Sequence, residues 1–180
     1  MEIDINLVIA ARQGDKDSFA QVYDMIASDL YNIAVFTLGN SHDAEDVVSE
    51  VFIEAYKGIS KLRDPEKFRP WMMRILSTRC KRKIAEYIKG KNTFDIESFI
   101  NTLPEGGEVS ADISEKVAVM DCMQRLSDQE RQIIVLSVLH GFTTKEISGI
   151  VESPHGTVSS KLHRALAKLR RMLETDDDKN

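Results

Sequence analysis

Three groups of residues in this chain could do chemistry, and in each the chemistry is binding. Between Pro154 and Leu173 there are five lysines and arginines and no carboxylate. At about 100° per residue, Val158, Leu162, Ala165, Leu166 and Leu169 form an apolar stripe. Gly156, Ser160, His163, Arg164, Ala167 and Arg171 lie opposite, flanked by Thr157, Lys161 and Lys168. Small residues in the first turns allow close approach to a groove, and Arg and Lys reach base edges or phosphates. An ordinary solvated helix face mixes both signs, so the one-sided charge favours DNA contact.

The second group is the stretch KGISKLRDPEKFRP and the helix expected after it, WMMRILSTRCKRKIAEYIK. Met72, Met73, Leu76, Cys80, Ile84 and Tyr87 share one side of that helix. Trp71, Arg74, Thr78, Lys81, Arg82 and Lys89 share the other. An aromatic among cations suits unstacked or single-stranded nucleic acid, although Trp71 is equally well read as a core anchor. The third group is Glu45, Asp46, Ser49 and Glu50. Nothing apolar surrounds them to shift a pKa and no complementary base is evident, so a solvated acidic face is favoured over acid–base work. A docking face for a basic partner is an intermediate reading. Cys80 and Cys122 are far apart, and the four histidines show no ligand spacing, so no metal, cofactor or catalytic residue is expected.

The elements that must position these groups are helices. Ser127 with Glu130 and Thr143 with Glu146 both fit the S/T-x-x-E capping box. The first predicts a helix to about His140, with Gly141 as a left-handed stop. The second predicts a short helix from Thr144 to Val151. Ser153 then caps a third helix opening at Pro154, where the missing N–H costs nothing. Two helices joined by a turn of a few residues, the second longer and basic, form the pattern of a DNA-reading helix-turn-helix. Upstream, a short helix around Leu7–Gln13 stops at Gly14. A longer one, with Asp17 as its cap, runs to about Leu38 and ends at Gly39, and a third is capped by Ser41 or Asp43. Gly58, Asp64-Pro65 and Pro70 predict a loop between Lys57 and Pro70.

Charge alternates along the chain. Its net of −5 hides 12 basic and 3 acidic residues over 57–91, and 7 and 2 over 131–172, each preceded by an acidic block. Two nucleic-acid surfaces on a chain whose other parts repel DNA follow from that pattern. With no apolar run of eighteen residues and an acidic start, neither a membrane span nor a signal peptide is expected. A cytoplasmic protein is the simplest reading.

DAEDVVSEVFIEAYKGISKLRDPEKFRPWMMRIL, followed by LSDQERQIIVLSVLHGFTTKEISGIVESPHGTVSSKLHRALAKLRRML, closely resembles the two domains of extracytoplasmic-function (ECF) sigma factors of bacterial RNA polymerase. The resemblance implies an all-α, two-domain protein that is not an enzyme. Residues 1–91 would be a region 2 domain, 92–113 a flexible acidic linker, 114–173 a region 4 helix-turn-helix domain and 174–180 a disordered acidic tail. Core RNA polymerase and promoter DNA are the implied partners, with an anti-sigma factor as a further one.

Asp43, Glu45, Asp46, Ser49 and Glu50 would dock on polymerase. Lys61, Arg63, Lys67, Arg69, Trp71, Arg74, Thr78, Lys81 and Arg82 would open and read the −10 element. Ser153, His155, Gly156, Thr157, Ser160, Lys161, His163, Arg164 and Lys168 would read the −35 element. Ser49 and Ser159 depart from the residues usual in the family, Gln and a basic residue respectively. A stand-alone helix-turn-helix regulator explains the second domain but leaves the basic loop idle, and a polymerase-binding inhibitor leaves the charge of the last helix unexplained. Within the linker, Ile96, Phe99, Ile100 and Leu103 keep helical spacing, as a short packing helix would.

Overall fold

A computed structural model describes residues 3–90, 119 and 121–177. Every regular element among them is helical. The first half holds α1 (Ile5–Arg12), α2 (Lys16–Leu38), α3 (Ser41–Gly58) and α4 (Phe68–Gly90), with single 3-10 turns at Ile59–Lys61 and Pro65–Lys67. The second holds α5 (Asp128–Ile134), a π turn at Val135–Leu139, α6 (Thr144–Val151) and α7 (His155–Asp177). The linker 92–113, with its Ile96–Leu103 segment, lies outside the described residues.

Helices α2, α3 and α4 pack on one another with α1 across α2, and α5, α6 and α7 form a second group. The groups also touch, α4 lying against α6 and α2 against α5. One buried cluster runs through both, from Val8 to Ala165. Phe68, Met72, Met73 and Leu76 of α4 are all almost fully buried, and burial of side chains of this kind contributes about 1.5–3 kcal/mol each. The apolar side of α4 therefore fixes its orientation, and its cations must find partners on whatever lies opposite.

Local signals place the helix ends with some corrections. The cap of α2 is Asp15, which accepts from Asp17 N–H and Ser18 Oγ, and not Asp17. The cap of α3 is Asn40, whose Oδ1 accepts from Asp43 N–H at 2.9 Å, and not Ser41 or Asp43. A cap must precede the N–H groups it satisfies by two or three residues, and periodicity alone does not fix that offset. The expected loop at 57–70 is largely helical: α3 runs through Gly58 and α4 starts two residues before Pro70. Proline is tolerated there because first-turn N–H groups have no helical acceptor. A Cβ on Gly58 would lie 3.2 Å from Trp71 Cζ2, so glycine at this position lets the indole close over the end of α3.

The first helix of the helix-turn-helix ends at the predicted place, with Gly141 at φ 67°, but its last turn is π. His140 N–H donates to the Val135 carbonyl and Phe142 N–H to the Leu136 carbonyl. The extra residue in that turn shifts the phase of the helix and leaves Val138 and Leu139 exposed. At the other end, α7 continues to Asp177 through an Arg170–Glu174 pair at 2.8 Å, extending into the tail expected to be disordered.

Candidate nucleic-acid interface

Both predicted capping boxes form. Ser127 N–H donates to Glu130 Oε2 at 2.9 Å and Glu130 N–H to Ser127 Oγ at 3.4 Å. Thr143 N–H donates to Glu146 at 2.9 Å and Glu146 N–H to Thr143 Oγ1 at 3.3 Å. Bonds from Ser127 hold the Glu130 carboxyl below its ordinary range, and those from Thr143 do the same for Glu146. The turn between α6 and α7 passes through Glu152 at φ 54°, and Ser153 N–H donates back to the Ser148 carbonyl at 3.1 Å. A non-glycine residue in that region is uncommon; here it turns the chain within the three residues, Glu152 to Pro154, that separate α6 from α7.

On α7, Val158 and Ala165 are buried, Leu162 and Leu169 are half-buried and Leu166 is exposed. The opposite face is open. His155, Gly156, Thr157, Ser160, His163, Arg164 and Arg171 are exposed, and a groove of about 750 Å³ runs past His163, Arg164, Lys168 and Arg171. Arg164 Nε donates to the Ser160 carbonyl of its own helix at 3.2 Å, which leaves the guanidinium edge outward. His155 meets Thr144 Oγ1 at 2.9 Å.

Three candidates on the flank have structural bonds. Lys161 donates to Gln129 Oε1, Gln129 Nε2 donates to Ser153 Oγ at 3.1 Å, and Lys168 donates to the Arg125 carbonyl at 2.6 Å. Gln129 thus ties α5 to the turn at Ser153 and to α7 at Lys161. The sequence offered no signal for it beyond its place in the first turn of a capped helix.

The basic loop places Lys61, Arg63 and Lys67 on exposed turns. Trp71 is half-buried, tilted against Phe68 with centroids 5.8 Å apart, so it anchors the loop with one edge reachable. Thr78 Oγ1 donates to the Arg74 carbonyl at 2.9 Å. Arg69, Arg74 and Lys81 point at the helix-turn-helix. Arg82 turns the other way, to Glu50.

On α3, Asp43 bonds Lys83 at 2.6 Å, with Asp46 4.0 Å from the same ammonium. Glu50 bonds Arg79 at 2.8 Å, and Glu54 bonds Arg79 as well. The hydrogen bond with Glu54 raises the Arg79 pKa, and that with Asp43 raises the Lys83 pKa. Glu45 and Ser49 instead rim a groove of about 490 Å³ with Tyr23 and Tyr31. Ile53 and Tyr56, exposed further along α3, extend that outer surface; neither was among the expected docking residues. Among the described residues no three His, Cys, Asp or Glu converge as a metal site, and no helix is long and apolar enough to cross a membrane.

Comparison with known proteins agrees with this geometry. Residues 22–87 match the family described as Sigma-70 region 2 and residues 116–169 the family described as Sigma-70, region 4. The ECF RNA polymerase sigma factor SigW of Bacillus subtilis (strain 168) is 32% identical over 174 residues, covering 90% of this chain and 92% of SigW. The RNA polymerase sigma-H factor of Pseudomonas aeruginosa is 25% identical over 190 residues, covering 96% and 95%. The fold is similar to CnrH in complex with the cytosolic domain of CnrY (TM-score 0.69, 21% identity, 96% and 98% covered). It is also similar to RpoE in complex with the anti-sigma factor NepR from Bartonella quintana (TM-score 0.70, 18% identity, 90% and 99% covered). The chain belongs to the ECF sigma factors, non-enzymatic proteins that bind RNA polymerase and direct its recognition of promoters.

Proposed function

We propose that the outward face of α7 reads the −35 element, with His155, Gly156, Thr157, Ser160, His163 and Arg164 toward the groove. Ser153, Lys161 and Lys168 set the seat of that helix, and the two lysines contribute positive potential. The observation that carries this reading is the open face of α7, free of carboxylates from His155 to Leu173, on a helix-turn-helix with both capping boxes closed. Lys61, Arg63, Lys67, Arg69, Trp71, Arg74, Thr78 and Lys81 form the −10 and strand-opening surface. Arg82 acts through its pair with Glu50.

Docking on polymerase falls to the Glu45–Ser49 side of α3, where, among the described residues, no ion pair engages Glu45. Asp43, Asp46 and Glu50 stiffen the joint with α4. The domains are residues 1–91 and 114–173, joined by the acidic segment 92–113. A cytoplasmic place follows from the polymerase it serves. RpoE is complexed with an anti-sigma factor, which supports an anti-sigma protein as a partner of this chain.

In vitro transcription with core polymerase over a randomised promoter library tests the assignment. Enrichment of two separated elements is the expected result, with Arg164→Ala relaxing only the upstream one. A single enriched element, or relaxation of the downstream one, overturns it.

A further inference from the structure

Lys161 and Lys168 stand on one edge of the α7 reading face, and each donates to a neutral oxygen. Lys168 donates to the Arg125 carbonyl at 2.6 Å, and Lys161 donates to Gln129 Oε1. The first tether is main chain, which any residue at position 125 would supply. The second depends on a single side chain, and that side chain belongs to α5 rather than to the reading helix.

The amide suits this place for a reason of polarity. An ammonium only donates, so the oxygen of Gln129 must face Lys161 and its nitrogen must face away. That nitrogen donates to Ser153 Oγ at 3.1 Å. One amide therefore holds the residue that leads into Pro154 and a lysine about two turns further along α7. Glu130, the next residue, commits its carboxylate to Ser127, accepting from the N–H at 2.9 Å and from Oγ at 2.7 Å. The group that orients Lys161 is thus uncharged. A neutral acceptor aims an ammonium without cancelling its charge, whereas a carboxylate in the same place would do both.

We propose that Gln129 is a positioning residue for promoter binding, aiming the Lys161 ammonium at a backbone phosphate beside the −35 element. The inference rests on the seating of α7 given above. Lys161 is half-buried, and two of its N–H groups remain beyond the one given to Gln129. A free lysine stem loses its rotamer freedom when it meets a phosphate, which weakens binding. With the stem already held on Gln129, that loss falls on folding and not on association with DNA. Phosphate contacts carry no sequence information directly, so Gln129 raises affinity for every −35 sequence alike.

The test uses holoenzyme assembled from core polymerase and each full-length variant. Anisotropy follows its binding to labelled duplexes carrying the upstream element enriched from the promoter library, or single-base variants of it, at several salt concentrations. Gln129→Met keeps the length of the side chain and removes both bonds. It should raise the apparent Kd about two- to tenfold on every duplex, with the salt slope unchanged because the charge of Lys161 remains. Lys161→Met should weaken every duplex as well and reduce the slope by about one unit. Since Gln129 acts through Lys161, the losses should not add, and Gln129→Met in the Lys161→Met background should change nothing more. Gln129→Glu should hold the ammonium but neutralise it, moving the slope toward that of Lys161→Met.

A Gln129→Met loss that persists in the Lys161→Met background, or one confined to particular base pairs, overturns the positioning role. So does a Gln129→Met protein with the Kd of the parent. If Lys161→Met changes neither Kd nor slope, this edge of α7 is off the DNA and the proposal falls. The reading of α7 itself falls only if Arg164→Ala also binds every duplex as the parent does. Should Gln129→Met fail to fold, Gln129→Glu decides: a salt slope equal to that of the parent overturns the proposal.

Discussion

Helices α4 and α7 are each 23 residues long and rich in Lys and Arg, yet they use those cations differently. On α4, one side donates to carboxylates of α3 through Arg79, Arg82 and Lys83, and the other to carbonyls of the helix-turn-helix through Arg69, Arg74 and Lys81. On α7, outward Arg164 bonds the Ser160 carbonyl of its own helix and His155 meets Thr144 of α6. The flanking Lys161 and Lys168 reach across to Gln129 of α5 and to the Arg125 carbonyl just before it. A central helix has neighbours on several sides, so its charges are engaged unless something moves. A helix seated on one stripe keeps the rest of its circumference for a ligand. Similar charge density therefore gives a ready surface on α7 and a conditional one on α4.

The comparison can be broken first at the apolar supports. Leu76→Ala, under the α4 cations, should cost about 2–5 kcal/mol through the cavity left behind. Leu162→Ala, under the α7 face, should fall at the low end of that range because the side chain is half-buried. Chemical denaturation of both variants measures the difference. Equal losses would mean that α7 is seated as deeply as α4.

A smaller effect separates the cations themselves. Arg164→Ala should leave the melting temperature nearly unchanged and relax one base pair of the −35 element by about 1–3 kcal/mol if it reads a guanine in bidentate fashion. Arg74→Ala should lower the melting temperature, because its acceptor is on the other domain. It should also impair strand opening in permanganate footprints more than −35 binding. A pre-melted template that fails to rescue Arg74→Ala would remove α4 from strand opening.

Next in size is the cap that aims the helix-turn-helix. Thr143→Ala should cost about 1 kcal/mol and weaken −35 selectivity along with stability, since α6 loses its starting point. Substituting Glu54 with Gln removes half of a partly exposed pair with Arg79 and should cost no more than about 1 kcal/mol. Thermal melts of the two variants side by side rank them.

The smallest effect is expected from His140. Burial lowers its pKa, with Arg69 acting in the same direction and Asp29 opposing. The unfolded chain therefore takes up this proton more readily than the folded one. The contribution of His140 is full above the ordinary histidine range and declines as pH falls below it. Melting temperatures across pH 5 to 8, with His140→Gln flattening the acid limb, check the sign.

Much of the helix-turn-helix was legible in the residues. Two S/T-x-x-E boxes and Gly141 place three of its ends because capping is a local interaction among four or five residues, whereas α7 opens at His155 rather than Pro154 and Ser153 Oγ accepts from Gln129 of another helix. The apolar stripe of α7 was legible for the same reason, being a matter of angle along one helix. The two basic stretches, and the motif order that identifies the family, also belong to the chain as written.

The destination of each charge belongs to the tertiary structure. No spacing rule links Arg74 to Gly149, 75 positions away, or Arg79 to Glu50 and Glu54. The π turn at Val135–Leu139 shifts a phase that periodicity treats as constant, and Trp71 closes over Gly58 only because α3 and α4 meet there. Local bonds and helix angles are properties of short segments, so sequence suffices for them. Whether a lysine or arginine faces water, a carboxylate or a helix end depends on which segments the core brings together, and packing alone decides that.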